Sequence, residues 1–344
     1  MDSTGGSQAK GLQPELRRDP LTGDWVIVAP GRGGRPHAPE QPQGAVTRAE
    51  YVADCPFCAG NEDATPPSVL TLPEDSQAWS VRVVPNRFPA VSSQPGTARG
   101  GGTGPLYASR TATGVHEVVV ETPLHNLELP DRNERHVDLL LEAFQQRLVS
   151  LLERPTTRHV AIFKNEGLEA GTSLEHPHSQ IVGLGFLPAD VIGRAQFARR
   201  FHQKTGDCVL CTILHEERRG ALRIVFEADG FVAFAPYASA SAGETLLVPV
   251  QHAPSFALVS GGLRIGLGRA LAQLLDRCRT AFDDPPYNLV LHTAPKRWLR
   301  DPALHWYWQL SPRLSRIAGF ELGTGVHINT LAPEDAASML RSAR

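Results

Sequence analysis

Glu175-His176-Pro177-His178-Ser179-Gln180, EHPHSQ, sets two imidazoles either side of a proline, between a Gly-bearing loop, EGLEAGTSLE, and the apolar run IVGLGFLP. A second segment, His305-Trp306-Tyr307-Trp308-Gln309, repeats its outline. Each ends a series of elements in the same order. In the first copy, HEVVVETP reads as a strand by its β-branched content. Residues Arg135 to Glu153, RHVDLLLEAFQQRLVSLLE, carry helical periodicity, with Leu140, Phe144, Leu148 and Leu151 on one stripe, and Pro155 stops the helix. A strand HVAIFKN, the loop, the histidine motif and the strand QIVGLGFLP follow. In the second copy ETLLVPVQHAP is a strand, LRIGLGRALAQLLDRCRTAF a helix, and YNLVLHTAP and LHWYWQLSP are strands. The pattern predicts a duplicated unit, with linker material around QFARRFHQKTGD. An upstream stretch, DWVIVAP, also reads as a strand.

Residues that suit metals repeat with the elements. Cys55-x-x-Cys58 is followed by His125 and His176, and Cys208-x-x-Cys211 by His252 and His305. A Cys-x-x-Cys turn aims two thiolates at one ion, and tetrahedral zinc then takes two more ligands, commonly imidazoles. One such pair alone is also compatible with a redox couple or two core thiols. Two pairs in register with two histidine positions favour metal. Closed Cys2His2 sets leave no position for substrate, so they read as structural.

That leaves His178. A neutral imidazole is a good nucleophile toward phosphorus, and a backbone carbonyl can fix its other nitrogen. Gln180 can donate its amide to a phosphoryl oxygen, and NEGLEAGTS offers small residues and backbone N–H groups for a phosphate cradle. A lone His-x-His is as readily a satisfied core pair or a metal site. The second copy shifts the balance, because it keeps the ligand-type histidine and the glutamine while Tyr307 stands where His178 stands.

The chain has 344 residues, enough for one large or two medium domains. Lys plus Arg number 34 against 36 Asp plus Glu, for a formal charge of -2, which argues against a nucleic-acid partner held by its phosphates. No run is long enough for a membrane span, and the first residues, MDSTGGSQAKGLQPELRRDP, lack the apolar core of a signal peptide, so a cytoplasmic protein is expected. Five cysteines, four of them in the two pairs, suit thiolate ligands in a reducing compartment better than a disulfide framework. The fifth, Cys278, reads as helix core. Residues 1–12 are Gly/Ser/Gln-rich and expected to be disordered, and Ser92 to Leu106 reads as a mobile loop or a linker. The expected division is 13–195 and 196–344.

The stretches DPLTGDWVIVAPGRGGRP, DCPFCAGNED, VVPNRFPAV, FKNEGLEAGTSLEHPHSQ and GFELGTGVHIN together resemble the galactose-1-phosphate uridylyltransferases and their relatives the ADP-glucose phosphorylases, in the histidine triad superfamily. The resemblance covers most of the chain. It implies an α+β fold of duplicated histidine-triad-like units, with antiparallel-rich sheets and helices packed on them, the first unit catalytic. It also implies ping-pong nucleotidyl transfer through a nucleotidyl-histidine, on a nucleotide sugar and a sugar 1-phosphate, in a homodimer with sites near the interface.

Carried over by motif, His178 is the nucleophile and Gln180 its phosphoryl partner. Asn165, Gly171, Thr172 and Ser173 line the phosphates. Asn86, Arg87 and Phe88 hold base and ribose, Arg32 and Arg35 meet phosphate, and Glu321, Thr324 and His327 contact the sugar. Without the family match, Arg32 and Arg35 read equally as solvated loop charges, Phe88 as core and Asn86 as a turn residue. Zinc is implied at Cys55, Cys58, His125 and His176. Cys208, Cys211, His252 and His305 resemble the two-zinc branch that includes the plant-type phosphorylase, giving two Zn2+ per chain. The expected reaction is UDP-glucose with galactose 1-phosphate; the alternative is a nucleotide-sugar phosphorylase acting on ADP-glucose with phosphate as acceptor. A non-enzymatic zinc-ribbon binding protein is the third reading, and the lack of a basic stripe weighs against it. No motif distinguishes uracil from adenine.

Overall fold

A computed structural model describes residues 13–34, 48–74, 78–94 and 106–343. The expected disordered N-terminus, Arg35 and most of the Ser92 to Leu106 stretch lie outside these residues. In chain order the strands are β1 (Glu15–Arg18), β2 (Trp25–Val28), β3 (Leu70–Leu72), β4 (Val81–Pro85), β5 (Gly114–Val120), β6 (His159–Glu166), β7 (His178–Leu184), β8 (Ile224–Ala228), β9 (Phe231–Phe234), β10 (Thr245–Pro249), β11 (Tyr287–His292), β12 (Tyr307–Pro312) and β13 (His327–Asn329). The helices are α1 (Glu134–Glu153), α2 (Ala189–Thr205), α3 (Val209–Gly220), α4 (Gly261–Phe282), α5 (Gly319–Thr324) and α6 (Pro333–Ser342).

Among the described residues ten strands form one sheet in the order β3-β4-β5-β7-β6-β11-β12-β10-β9-β8, every neighbouring pair antiparallel. The order reads the same from both ends once β3 to β7 are matched with β8 to β12, so the sheet has an internal two-fold relation. β6 meets β11 at its centre, where Phe163 lies opposite Val290. The duplicated unit expected from the repeat is therefore two half-sheets fused edge to edge. The join removes one free edge from each half.

α1 begins where the Asn133 side chain accepts the His136 N–H at 2.9 Å, an N-cap, and it ends just before Pro155. Its stripe of Leu140, Phe144, Leu148 and Leu151 is buried against the sheet and α4. At ~1.5–3 kcal/mol per large apolar side chain removed from water, that stripe alone fixes the helix on the sheet. α4 starts at a Ser260 cap and carries Cys278 into the same core, 2% exposed, as its sequence suggested. Trp308 on β12 and Trp306 just before it extend this core, on the face opposite Tyr307.

Two expectations change. QFARRFHQKTGD is not linker but the C-terminal part of α2, which follows Pro188 and ends at Gly206 in the left-handed region, φ 81°. Among α2 residues only Ala195 and Ala198 are buried, so its inner stripe is small-residue and leaves little trace as apolar periodicity. The strand expected over QIVGLGFLP runs instead from His178 to Leu184, which makes His178 its first residue. A separate three-stranded sheet, β1-β2-β13, pairs the GFELGTGVHIN segment in parallel with β2, His327 opposite Val26. No helix among the described residues is long and apolar enough to cross a membrane.

Candidate active site and metal centres

The side chains of Cys55, Cys58, His125 and His176 converge, with one ligand atom from each within 4.8 Å of all the others. Cys55 Sγ lies 3.6 Å from His176 Nδ1, and Cys58 Sγ lies 3.5 Å from His125 Nδ1 and 3.7 Å from His176 Nδ1. Bond lengths of about 2.3 Å to sulfur and about 2.0 Å to nitrogen around a tetrahedral zinc put neighbouring ligand atoms about 3.5 Å apart. The donor set therefore fits zinc in both chemistry and spacing. The His176 Nε2–H donates to the Thr122 carbonyl at 2.8 Å, leaving Nδ1 free for a metal, while His125 Nε2 faces the Glu175 carboxylate at 4.0 Å. Burial pushes His176 down to about 4, which keeps the neutral form a metal needs.

Cys208, Cys211, His252 and His305 form the second cluster. Cys211 Sγ lies 3.4 Å from Nδ1 of both histidines, and Cys208 Sγ lies 4.0 Å from His305 Nδ1. This set also fits zinc, but its setting is looser. His252 is exposed, Cys211 half-buried, and His305 Nε2 is buried with no hydrogen-bond partner among the described residues.

His178 opens β7 two residues after His176 of the first cluster. Its Nδ1–H donates to the His176 carbonyl at 2.8 Å, so Nε2 holds the free lone pair. It is 8% exposed, and burial lowers its pKa below the ordinary imidazole value. Phe57, between the two metal-site thiols, packs on this ring at 5.5 Å between centroids. The first Cys2His2 cluster thus holds His178 from both sides, through the His176 backbone carbonyl and through the Phe57 ring.

Alternation along β7 puts Gln180 on the same face. Its Oε1 accepts the His116 Nε2–H at 2.8 Å, and His116 Nδ1 accepts the Ala90 N–H at 3.1 Å. That chain fixes the amide so that its NH2 group points away from His116 and is free to donate. Asn86 Nδ2 sits 3.1 Å from His116 Nε2, while Asn86 Oδ1 accepts the Phe88 N–H at 2.8 Å in a tight turn. Phe88 is 83% exposed and Arg87 is exposed beside it, so Phe88 is not core. Asn165, on β6, accepts from Asn288 Nδ2 at 2.8 Å. Gly171 turns the following loop in the left-handed region, φ 91°, next to half-buried Thr172 and exposed Ser173.

Arg32 lies half-buried in the short helical turn Pro30–Gly34. Glu321 accepts from the Ala318 N–H, and the Thr324 hydroxyl donates to the Phe320 carbonyl, so both side chains are engaged within their own turn. None of the described hydrogen bonds or ion pairs brings Glu321, Thr324 or His327 to His178 within one chain.

Sequence reasoning missed His116 and Phe57, and also a buried charge network on the opposite face of the sheet. There the Ser179 hydroxyl donates to Glu121 at 2.5 Å, and Glu121 pairs with Arg132 at 3.0 Å and Lys164 at 3.3 Å. Burial would raise the Glu121 pKa, but Lys164 and Arg132 outweigh it and hold the carboxyl at about 2. Only Lys164, an isolated cation in the apolar pattern of β6, hints at this in the sequence.

The halves correspond here too. In the second half Gln309 takes the place of Gln180, donates to Glu244 at 2.8 Å where Gln180 accepts from His116, and accepts from His292 at 2.7 Å. Tyr307 takes the place of His178 and stacks on His292 at 4.5 Å.

Known proteins agree with this architecture. An ADP-glucose phosphorylase from Arabidopsis thaliana is 33% identical over 98% of this chain and 95% of its own length. The galactose-1-phosphate uridylyltransferase of Thermotoga maritima is 29% identical over 95% of this chain and 98% of its own. A crystal structure of an Arabidopsis thaliana ADP-glucose phosphorylase with bound ADP-glucose superposes with a TM-score of 0.83 at 30% identity, covering 96% of this chain and 99% of that one. A solved uridylyltransferase gives 0.74 at 28% identity, over 96% and 98% of the two chains. The family model for the N-terminal domain of galactose-1-phosphate uridyl transferase matches residues 7–188, the half that holds His178 and the buried Cys2His2 cluster. With the family's sequence pattern over that half and its fold over nearly the whole length, this chain belongs to the galactose-1-phosphate uridylyltransferase family.

Proposed function

We propose that the protein transfers a nucleotidyl group from a nucleotide sugar by way of His178, with inorganic phosphate as the second acceptor and ADP-glucose as the first nucleotide sugar to test. The observation that carries the reaction class is the His178 ring, held with Nδ1–H on the His176 carbonyl and Nε2 unprotonated. Nε2 attacks the α-phosphorus, forming an N–P bond as the bond to the bridging oxygen breaks, and sugar 1-phosphate leaves. No base is needed, because the attacking nitrogen carries no proton. The positive charge that develops on the ring faces the His176 carbonyl oxygen. Gln180, fixed by His116, donates to a non-bridging oxygen whose share of negative charge grows in the transition state. A phosphate oxygen then attacks the same phosphorus and releases the imidazole.

Asn165, Gly171, Thr172 and Ser173 border the phosphates in this reading, and Asn86, Arg87 and Phe88 receive the nucleoside. Arg32 and Arg35 meet phosphate, and Glu321, Thr324 and His327 reach the sugar from a second copy of the chain, since none of the described hydrogen bonds or ion pairs joins them to His178 within one copy. The zinc ions would be structural, holding the strand that carries His178. Two paired Cys2His2 sets and the likeness to ADP-glucose phosphorylases support the phosphate acceptor. The likeness to uridylyltransferases keeps a second reading, UDP-glucose with galactose 1-phosphate.

Zinc-replete protein mixed with ADP-glucose or UDP-glucose should gain one nucleotidyl group by intact mass, on His178 by peptide mapping. The isolated adduct, given phosphate or galactose 1-phosphate, reports the acceptor by which one discharges it. Absence of an adduct with either sugar would exclude the covalent mechanism.

A further inference from the structure

We propose that the C-terminal half has a binding site of its own, for a small organic anion whose single charged head meets Arg194 and whose body is apolar. Independently of what His178 does, it rests on a cavity of about 300 Å³ between α2, the β6–β11 seam and the β11–β12 loop. Leu21, Val191, Val290 and Leu304 are among its apolar walls. Arg194, His159, His292 and Tyr307 supply polar atoms.

These polar groups are left incompletely used by the fold. His159 is 6% exposed and its Nδ1 is buried with no hydrogen-bond partner among the described residues. A buried polar atom left without a hydrogen bond is costly, and a ligand that supplies the partner recovers that cost. Arg194 Nη1 donates to His292 Nδ1 at 3.3 Å, and His292 Nε2–H is taken by Gln309, so the imidazole does not neutralise the guanidinium. Arg194 also hydrogen-bonds Tyr307, but among the described carboxylates none closes an ion pair with it: exposed Asp190 lies at the cavity, and Asp19 and buried Glu244 act on it at longer range. A buried imidazole short of a partner and a cation short of a counter-ion share one apolar chamber, and a ligand with one anionic head supplies both.

The chamber's place in the fold explains its character. Tyr307 forms part of its wall at the position equivalent to His178, so the site keeps the location of the first half's chemistry without the nucleophile. It can hold an anion but form no covalent bond through the ring at that position. Cys208 and His305 also line it, so the site is tested in protein carrying both zinc ions.

The probe is 4-fluorobenzoate, followed by fluorine NMR on the full chain with two zinc equivalents, with fluorobenzene as the uncharged control. One saturable equivalent per chain is expected, unchanged in His178→Asn. Binding should weaken about tenfold or more in Arg194→Gln, and should be abolished by Val191→Trp, which fills the chamber. No saturation up to about 10 mM, equal affinity for fluorobenzene, or undiminished binding in Arg194→Gln would overturn the proposal. Loss of binding in His178→Asn would place the probe in the first half and overturn it equally. If Arg194→Gln fails to fold, Arg194→Lys with Val191→Trp decides the matter. Nucleotidyl adduct formation at His178 is measured on the same samples, so failure of one site is not read as failure of the other.

Discussion

His178 donates its Nδ1 proton to the carbonyl oxygen of His176, two residues earlier and itself in the buried Cys2His2 cluster, at 2.8 Å. One segment thus carries both the anchor and the group that it aims. A His178→Asn variant should fold, keep two zinc equivalents by elemental analysis and form no nucleotidyl adduct by intact mass. An adduct in that variant would place the nucleophile elsewhere.

Gln180 should act in the transition state more than in binding. Removing one preorganised donor of this kind costs about 10²–10³ in kcat. Gln180→Ala should show that loss with KM nearly unchanged, and His116→Phe a smaller one, because the amide remains but is no longer fixed. If Gln180→Ala instead raised KM alone, the amide would be a ground-state contact.

The two metal sets should not be equivalent. Cys55→Ser strikes a cluster buried on every side, whereas Cys211→Ser strikes one with an exposed histidine and a half-buried thiol. Elemental analysis should give two zinc equivalents for the unaltered chain and about one for each variant. Thermal unfolding should fall much further for Cys55→Ser, and adduct formation should fail with it, because that site holds the His178 strand. Equal losses in both variants would contradict this order.

Glu121→Gln should be among the most destabilising polar changes available. It leaves Arg132 buried without its carboxylate partner, while Lys164 keeps Glu166 at 3.1 Å and Glu128 at 3.8 Å; removing one member of a buried pair costs about 3–5 kcal/mol. Glu216→Gln, which breaks an exposed pair with Arg219, should cost no more than about 0.5 kcal/mol. Urea unfolding of the two variants makes the comparison.

Burial, with the Arg194 charge nearby, holds His159 at about 4 in the folded chain, against an unfolded value near 6.5. Between those values the unfolded chain binds a proton that the folded chain does not. Stability therefore rises with pH across that window and is lost as pH falls through it, by on the order of 2–3 kcal/mol from this residue. His159→Phe should lose less stability than the unaltered chain between about pH 6.5 and about pH 4.5 in urea titrations. Any acid loss of zinc is common to both proteins, so the difference isolates His159.

The repeat was legible because its carriers are chemically rare. Cysteines and histidines at matched spacings stand out, as does the α1 stripe of Leu140, Phe144, Leu148 and Leu151. α2 was not legible, since a helix buried only through Ala195 and Ala198 has almost no amphipathic signature. His116 and Phe57 were missed for a different reason. Each acts through a partner distant in sequence, Gln180 or His178, and only the strand register and the fold of the Cys-x-x-Cys turn bring them together. The Glu121 network was hidden in the same way, because its charges are scattered over β5, β6 and the turn before α1.

The facing of Phe163 and Val290 at the centre of the sheet has a consequence for descent. Two separate copies encoded by one gene must change together, so a lost nucleophile in one is lost in both. Fused into one polypeptide, the copies answer to separate codons, and selection on position 178 places no constraint on position 307. A tyrosine there is the trace of that release.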